Sequence, residues 1–339
     1  MLFQNVAIEA IAYELAPHRV TSEDLESQIA PTMQRLGIPA GRLEALSGVR
    51  ERRFWDYGTM PSDVATLAAR KLLDKAGVDP QRIGCLLNTS VCKDYIEPSV
   101  ACLVHGNLGL PPSCINYDIG NACLGFLNGM TSVGMLIEAG VIDYGMVVDG
   151  EGAQEAVMAT IRRLQRPETT AQEFRDNFAT LTLGSGAVAM LLCRKELAHS
   201  GHSLNGAVTL AATQHNRLCV GQPDYMKTDA SALLIAGVQL AGETWRAAVD
   251  ELPNWDDAQI GVYIPHQVGA RHMAAVAEAL EIKPHKLHLN FPTLGNIGPA
   301  ALPITLAMAE EAGRLKAGEQ VALLGIGSGL NCSMMSVTW

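Results

Sequence analysis

Aromatic residues and cationic charge are both scarce in this chain of 339 residues. Phe, Trp and Tyr make up 5% of it, and 25 Lys and Arg against 35 Asp and Glu leave a net charge of −10. A nucleic-acid-binding protein needs a basic surface, so the charge argues against that class. No apolar run approaches the roughly 18 residues of a membrane span, and no basic-then-apolar leader is visible. With 48% hydrophobic and 18% charged residues, the sequence predicts a compact globular protein.

Paired metal-ligand and disulfide motifs are also missing. The eight cysteines are scattered without a Cys-x-x-Cys, which is typical of reduced thiols in a cytoplasmic protein. The two His-x-x-His pairs, His199/His202 and His285/His288, have no cysteine or carboxylate partners at a metal-site spacing. The sequence therefore predicts a cytoplasmic location and no metal.

The most informative stretch is Asp118–Phe126, which lies between a short apolar strand and an apolar helix. It places Cys123 at a strand-to-helix turn, close to free N–H groups and the positive end of the helix dipole. Both favour the thiolate, which is the nucleophilic form of cysteine. Ala122, Gly125 and Gly129 keep the surroundings small enough for another backbone or a substrate to approach. The alternative is an ordinary buried cysteine.

The pattern of elements around Cys123 recurs later in the chain. Residues 114–148 predict a strand, a small-residue turn, a helix and a strand, and residues 287–324 predict the same order around Asn296. The repeat predicts an α/β fold of two related halves, residues 1–195 and 196–339, whose equivalent turns meet at a pseudo-twofold axis. Residues 151–178 differ in composition and predict a helical insertion.

Three further segments contain groups that could assist a cysteine nucleophile. His266 follows a buried strand, Asn296 lies in a glycine-rich turn before a helix, and Gly329 ends a glycine run. The backbone N–H groups of Cys123 and Gly329 would hold a thioester oxyanion, and His266 with Asn296 would polarise a second carbonyl. Alternatively, His266 is a core histidine and Asn296 a helix cap.

Residues 48–55, Gly-Val-Arg-Glu-Arg-Arg-Phe-Trp, are basic and aromatic. They form either a solvated turn or part of a surface that meets an anionic group, and the sequence favours the solvated turn.

Taken together, Asp118–Phe126, Pro265-His266-Gln267, Gly295–Pro303 and the C-terminal glycine run resemble the thiolase superfamily, and within it the ketoacyl-ACP synthase III branch with its Cys-His-Asn triad. The resemblance covers essentially the whole chain. It implies the five-layered αβαβα thiolase fold, a homodimer and an acyl-cysteine intermediate. It also implies coenzyme A thioesters as substrates, with no other cofactor.

Within that branch the chain is similar to enzymes that condense two fatty acyl-CoA molecules without decarboxylation at the start of long-chain olefin biosynthesis. That reaction needs a base to remove a proton α to a thioester, and a carboxylate suits this work. In those enzymes a glutamate at the position of Glu97 is the base and reaches the site from the partner subunit. The alternative is that Glu97 is a solvated turn residue before Pro98. Later enzymes of the same pathway are possible protein partners.

Two other functions stay open. One is a decarboxylating 3-oxoacyl-ACP synthase III that uses malonyl-ACP, and the other is a non-catalytic acyl-binding member of the fold. Many members of the branch place an arginine for the coenzyme A nucleotide where this chain has Leu46. Arg162, Arg163 and Arg166 are the basic residues predicted to replace it.

Overall fold

The computed structural model describes residues 1–339, which form thirteen strands and twelve α-helices. The strands are β1 (Val6–Leu15), β2 (His18–Thr21), β3 (Glu51–Phe54), β4 (Ile83–Asn88), β5 (Ile115–Asp118), β6 (Tyr144–Glu151), β7 (Gly186–Arg194), β8 (Ser203–Ala211), β9 (Cys219–Gln222), β10 (Tyr225–Thr228), β11 (Ile260–Pro265), β12 (Gln320–Gly327) and β13 (Asn331–Thr338). The helices are α1 (Ser22–Gln28), α2 (Ala30–Arg35), α3 (Arg42–Ser47), α4 (Pro61–Ala76), α5 (Val100–Leu108), α6 (Gly125–Glu138), α7 (Gln154–Leu164), α8 (Ala171–Asn177), α9 (Ala230–Glu251), α10 (Ala270–Ala279), α11 (Phe291–Leu294) and α12 (Ala301–Glu311). None of these helices combines the length and apolarity needed to cross a membrane.

Nine strands form one sheet in the order β11-β12-β13-β8-β1-β7-β6-β4-β5. Only Ala7 and Ser203 pair between β1 and β8, so the sheet divides there into two halves. From the outer edge inward, the first half runs β5-β4-β6-β7-β1 and the second runs β11-β12-β13-β8. Leu287 extends the second half by a parallel bridge to Tyr263, as β5 extends the first beside β4. The two halves therefore share one strand order.

The predicted strand at residues 287–290 is wrong in its extent, because only the Leu287 bridge forms. A 3₁₀ turn at Pro284–Lys286 precedes it and α11 begins at Phe291. The chain turns at both ends of this stretch, which leaves too few residues for a strand.

Helices cover both faces of each half-sheet, and three apolar clusters separate the layers. The largest cluster joins α6 and α12 to both half-sheets, so these two helices form the middle layer. A second cluster packs α4 and α5 on the outer face of the first half, and a third packs α9 and α10 on the second. This is the predicted αβαβα layering, and burial of these apolar faces is its main source of stability.

The predicted helical insertion contains α7 and α8, although Glu151 belongs to the end of β6. Val157, Ile161 and Leu164 lie on one face of α7 and pack with residues of α1 and α3. The insertion is thus part of the N-terminal half's own core. The β9–β10 hairpin was not predicted, because its half-exposed residues show no clear alternation.

The prediction of a solvated turn at residues 48–55 is wrong. β3 pairs with β2, and the side chain of Arg52 in β3 is fully buried. Its guanidinium donates to the Ser22 hydroxyl at 3.0 Å and to the Leu181 carbonyl at 3.0 Å. Because these acceptors replace water around the cation, an arginine can be buried here without a carboxylate partner.

Candidate active site

Cys123 lies in a 3₁₀ turn, Ala122–Leu124, that joins β5 to α6. Ala122 has φ +46°, in the left-handed region that residues with a Cβ rarely adopt. β12 approaches this turn so closely that a Cβ at Gly327 would lie 3.1 Å from the Leu124 nitrogen. The expected strand-to-helix placement of Cys123 is therefore observed, and a glycine of the second half makes the close approach possible.

The expectation that the local structure favours the thiolate is not supported. Burial raises the pKa of Cys123 to about 12, helped by the nearby Cys219 and the carboxylate of Glu151, while its own backbone N–H acts in the opposite direction. The helix begins with a short 3₁₀ turn and no cation lies beside the sulfur, so desolvation outweighs the helix dipole. The sulfur touches the cavity but is otherwise enclosed, and it is held as a thiol.

His266 follows β11 and is held by its backbone N–H, which donates to the Leu324 carbonyl at 2.7 Å. The side chain is buried and its Nδ1 has no hydrogen-bond partner. Burial, with a smaller contribution from His272, lowers the pKa of His266 to about 3. His266 is therefore a neutral imidazole at physiological pH, able to donate one hydrogen bond.

Asn296 is fixed by three hydrogen bonds. Its backbone N–H donates to the Thr182 carbonyl and its carbonyl accepts from the Gly184 N–H, both at 2.9 Å. The side-chain Oδ1 accepts from the Gly298 N–H at 3.0 Å, which leaves Nδ2 as the free donor. The Asn296 side chain can therefore offer an N–H to a carbonyl oxygen.

Cys123, His266 and Asn296 all line one cavity of about 2120 Å³. That volume is about twice the upper limit of roughly 1,000 Å³ for ordinary small-molecule pockets, so the cavity has room for more than one extended ligand. One side is lined by apolar residues of the N-terminal helices and the insertion: Leu36, Ile38, Met158, Phe174, Phe178 and Leu183. The site combines three polar side chains with a long apolar wall.

The other predicted site residues are placed less centrally. Gly329 itself does not line the cavity, but its neighbours Ser328 and Leu330 do. Glu97 is exposed on the connection between β4 and α5 and does not line the cavity of its own subunit.

Of the three predicted substrate-binding arginines, only Arg162 lines the cavity. Arg163 donates to Asn177 at 3.0 Å and to the Asp224 carbonyl at 2.8 Å. Arg166 lies outside the lining residues. The structure therefore brings only one of these cations to the site.

Glu151 and His272 are among the titratable groups of the cavity wall that sequence reasoning missed. Glu151 and Asp149 end the buried strand β6, and burial raises the pKa of Glu151 to about 7. Burial likewise lowers the pKa of His272 to about 4. Carboxylates at the carboxyl end of an apolar strand are a signal that could have drawn attention to Glu151.

Known proteins resemble the chain throughout its length. Residues 251–339 match the family described as 3-oxoacyl-[acyl-carrier-protein] synthase III C terminal. The chain is 46% identical to the acyl-CoA:acyl-CoA alkyltransferase of Xanthomonas campestris pv. campestris and 43% identical to that of Shewanella oneidensis, with 100% of each chain covered.

Solved structures agree. A cysteine-to-serine variant of Xanthomonas campestris OleA, with bound lauric acid and lauroyl-CoA, superposes with a TM-score of 0.97 at 46% identity and with 100% of both chains covered. At this level of sequence identity the similarity shows a shared family as well as a shared fold. The chain therefore belongs to the acyl-CoA:acyl-CoA alkyltransferase (OleA) family of the thiolase superfamily.

Proposed function

We propose that this protein joins two fatty acyl-CoA molecules by a non-decarboxylative Claisen condensation, giving a 2-alkyl-3-ketoacyl-CoA. The observation that carries the proposal is the convergence of Cys123, His266 and Asn296 on one cavity in a chain of this family. The cavity's volume and apolar wall suit two acyl chains better than one short donor. Coenzyme A thioesters are the substrates, and the residues named below supply the chemistry without a further cofactor.

In the first step the Cys123 sulfur attacks the thioester carbonyl of one acyl-CoA. The carbon–sulfur bond to coenzyme A breaks, the thiol proton leaves with the released coenzyme A, and an acyl-cysteine remains. Since the pKa of Cys123 is raised to about 12, attack and loss of the proton are coupled. The backbone N–H groups of Cys123 and Gly329 hold the oxyanion that forms in this step.

In the second step Glu97 of the partner subunit removes a proton from the α carbon of the second acyl-CoA. The resulting enolate oxygen accepts hydrogen bonds from the neutral His266 and from Asn296 Nδ2. The enolate carbon attacks the acyl-cysteine, a carbon–carbon bond forms and the bond to the Cys123 sulfur breaks. The sulfur regains a proton from Glu97, which returns the site to its starting state.

The delivery of Glu97 requires a homodimer, and the surface near β5 supports one. β5 is an edge strand whose Ile115 and Tyr117 are 42% and 43% exposed. Tyr95 and Ile96 beside Glu97 are also exposed, and Ile96 is fully so. An apolar edge strand next to an apolar loop is typical of an interface. Pairing of two β5 strands would carry Glu97 towards the partner's cavity.

Three finer points belong to the same proposal. Of the predicted arginines, Arg162 would contact the coenzyme A nucleotide, since it alone of the three lines the cavity. Later enzymes of long-chain olefin biosynthesis would receive the β-keto product. The cytoplasm is the proposed location, where the eight free cysteines would stay reduced.

Product analysis by mass spectrometry tests the proposal. The purified protein is mixed with one long-chain acyl-CoA, with and without malonyl-ACP. A self-condensed β-keto product from the acyl-CoA alone is expected. Turnover only after malonyl-ACP is added would show a decarboxylating synthase instead. An acyl-cysteine without any condensation would show an acyl-binding protein.

A further inference from the structure

The β4–α5 loop, residues 89–99, carries Glu97 and is anchored by carboxylates at several points. Asp94 accepts from the Ser62 N–H at 3.0 Å and from its hydroxyl. Asp118 accepts from Lys93 at 2.9 Å and from the first N–H groups of α5.

Glu151 is a third carboxylate that anchors this loop. Its Oε1 accepts from the Val91 N–H at 2.6 Å and its Oε2 from the Cys92 N–H at 3.3 Å. A carboxylate that accepts two consecutive backbone N–H groups fixes both the position and the direction of the chain at that point. The loop then runs five residues from Cys92 to Glu97.

The opposite side of Glu151 faces its own subunit's site. The side chain lines the cavity, and a Cβ at Gly298, in the turn that holds Asn296, would lie 3.5 Å from its Cδ. Two roles are therefore possible for one carboxylate. It can act in its own cavity, where its charge helps to raise the pKa of Cys123, or it can act through the loop.

The local environment favours the role through the loop. Glu151 is 5% exposed, and the loop's N–H groups are its main hydrogen-bond donors. Burial raises the pKa of Glu151, while the Cys92 thiol and these two N–H groups lower it. No hydrogen bond joins Glu151 to Cys123, His266 or Asn296, so the loop is the only element that its carboxylate directly restrains.

We propose that Glu151 is a positioning residue for the partner's active site: it holds the β4–α5 loop so that Glu97 reaches the second acyl-CoA in the neighbouring subunit. This inference rests on the proposed function, in which Glu97 crosses the dimer. It predicts an effect in trans, because the Glu151 of one subunit governs condensation at the Cys123 of the other.

Heterodimers with two different affinity tags separate the two roles. In the first arrangement, Cys123→Ala and Glu151→Gln lie on the same subunit and the other subunit is wild type. The one working cysteine then depends on the altered loop. In the second arrangement, Cys123→Ala lies on one subunit and Glu151→Gln on the other, so the working cysteine meets an unaltered loop.

The same-subunit heterodimer is expected to lose condensation by roughly tenfold or more, since a misplacement of about 1 Å in a reacting group can cost about a hundredfold. The opposite-subunit heterodimer is expected to match the heterodimer of Cys123→Ala with wild type. In both, the acyl-cysteine still forms. The reverse pattern, an equal loss in both arrangements, or no loss in either would overturn the proposal.

Two controls complete the experiment. Glu97→Ala, built into the same two arrangements, tests the delivery of Glu97 independently. If Glu97→Ala does not reduce condensation specifically in the same-subunit heterodimer, then Glu97 does not act across the dimer. That result would contradict the proposed function and not the role of Glu151 alone. Glu138→Gln removes another carboxylate that accepts two consecutive N–H groups, those of Gln4 and Asn5, and should not affect condensation.

Discussion

Asn331 Nδ2 donates a hydrogen bond to Asn121 Oδ1 at 3.2 Å. Asn121 in turn donates to Asn128 Oδ1 of α6 at 2.7 Å. The contact joins the turn before Cys123 to the turn that contains Gly329, although 210 residues separate the two asparagines. One amide pair thus fixes the spacing of the two backbone N–H groups that we assign to the oxyanion.

Replacing Asn331 with Ala should slow acylation of Cys123 by about tenfold, less than the roughly hundredfold or greater loss seen when an oxyanion donor is itself removed. The two donors remain but lose their fixed spacing. The measurement is the burst of coenzyme A released on mixing with acyl-CoA. Asn205→Ala is the matched control, because Asn205 Nδ2 bonds Ser336 and Thr338 away from the cavity. A wild-type burst from Asn331→Ala would contradict this role.

Replacing Arg52 with Met should destabilise the protein by about 1–3 kcal/mol, because buried acceptors, including the Leu181 carbonyl, lose their donor. Leu181 adjoins the segment that bonds Asn296 on both sides, so condensation should fall more than acylation does. Urea unfolding and single-turnover kinetics measure the two effects. Arg53→Met is the control, since the Arg53 side chain makes one hydrogen bond, to the Ala16 carbonyl. Equal effects of the two substitutions would contradict this role of Arg52.

Replacing Gly184 with Ala should be destabilising by about 1–3 kcal/mol, because the new Cβ would lie 2.0 Å from the Leu294 carbonyl oxygen. The shift would also move the Asn296 turn and reduce condensation. Gly106→Ala in α5 is the control, since a Cβ there meets nothing within 4 Å and helix propensity favours Ala by about 0.5–1 kcal/mol. Thermal unfolding of both variants measures this difference in stability. Equal stability of the two variants would show that the structure around Gly184 relaxes to accept the new Cβ.

The stability difference between Glu151→Gln and wild type should depend on pH. Burial raises the pKa of Glu151 from 4.5 to about 7, so the folded protein binds this proton more tightly than the unfolded chain. The contribution of Glu151 to the free energy of unfolding is therefore fully present below pH 4.5 and is lost as the pH rises towards 7. Gln stays neutral, so the variant should gain stability relative to wild type across that window. Urea unfolding of both proteins at several pH values measures this gain. A stability difference that does not change with pH would contradict the raised pKa of Glu151.

Local patterns predicted much of the fold. Thr21 and Asp24 have the spacing of a capping box, which they form at the start of α1, and small residues around Cys123 marked the tight turn before α6. These features depend on neighbours in sequence. The repeated strand–turn–helix order likewise predicted an α/β fold of two related halves, and the resemblance to the thiolase superfamily implied the αβαβα layering.

The remaining features depend on contacts between distant segments. Arg52 looked solvated because its sequence neighbours are charged, and acceptors distant in the chain, the Ser22 hydroxyl and the Leu181 carbonyl, make its burial possible. Glu151 gave no motif, since its donors, Val91 and Cys92, lie 60 and 59 residues away. The pKa of Cys123 also depended on enclosure by both halves, which outweighed the local helix dipole that the sequence displays.

We propose Glu97 of the partner subunit as the base of a condensation without decarboxylation. The most direct measurement is a single turnover of Glu97→Ala with one long-chain acyl-CoA, followed by intact-protein and product mass spectrometry. We expect acyl-Cys123 to accumulate while the condensed β-keto product is absent or greatly reduced. Condensed product at the wild-type rate would contradict it.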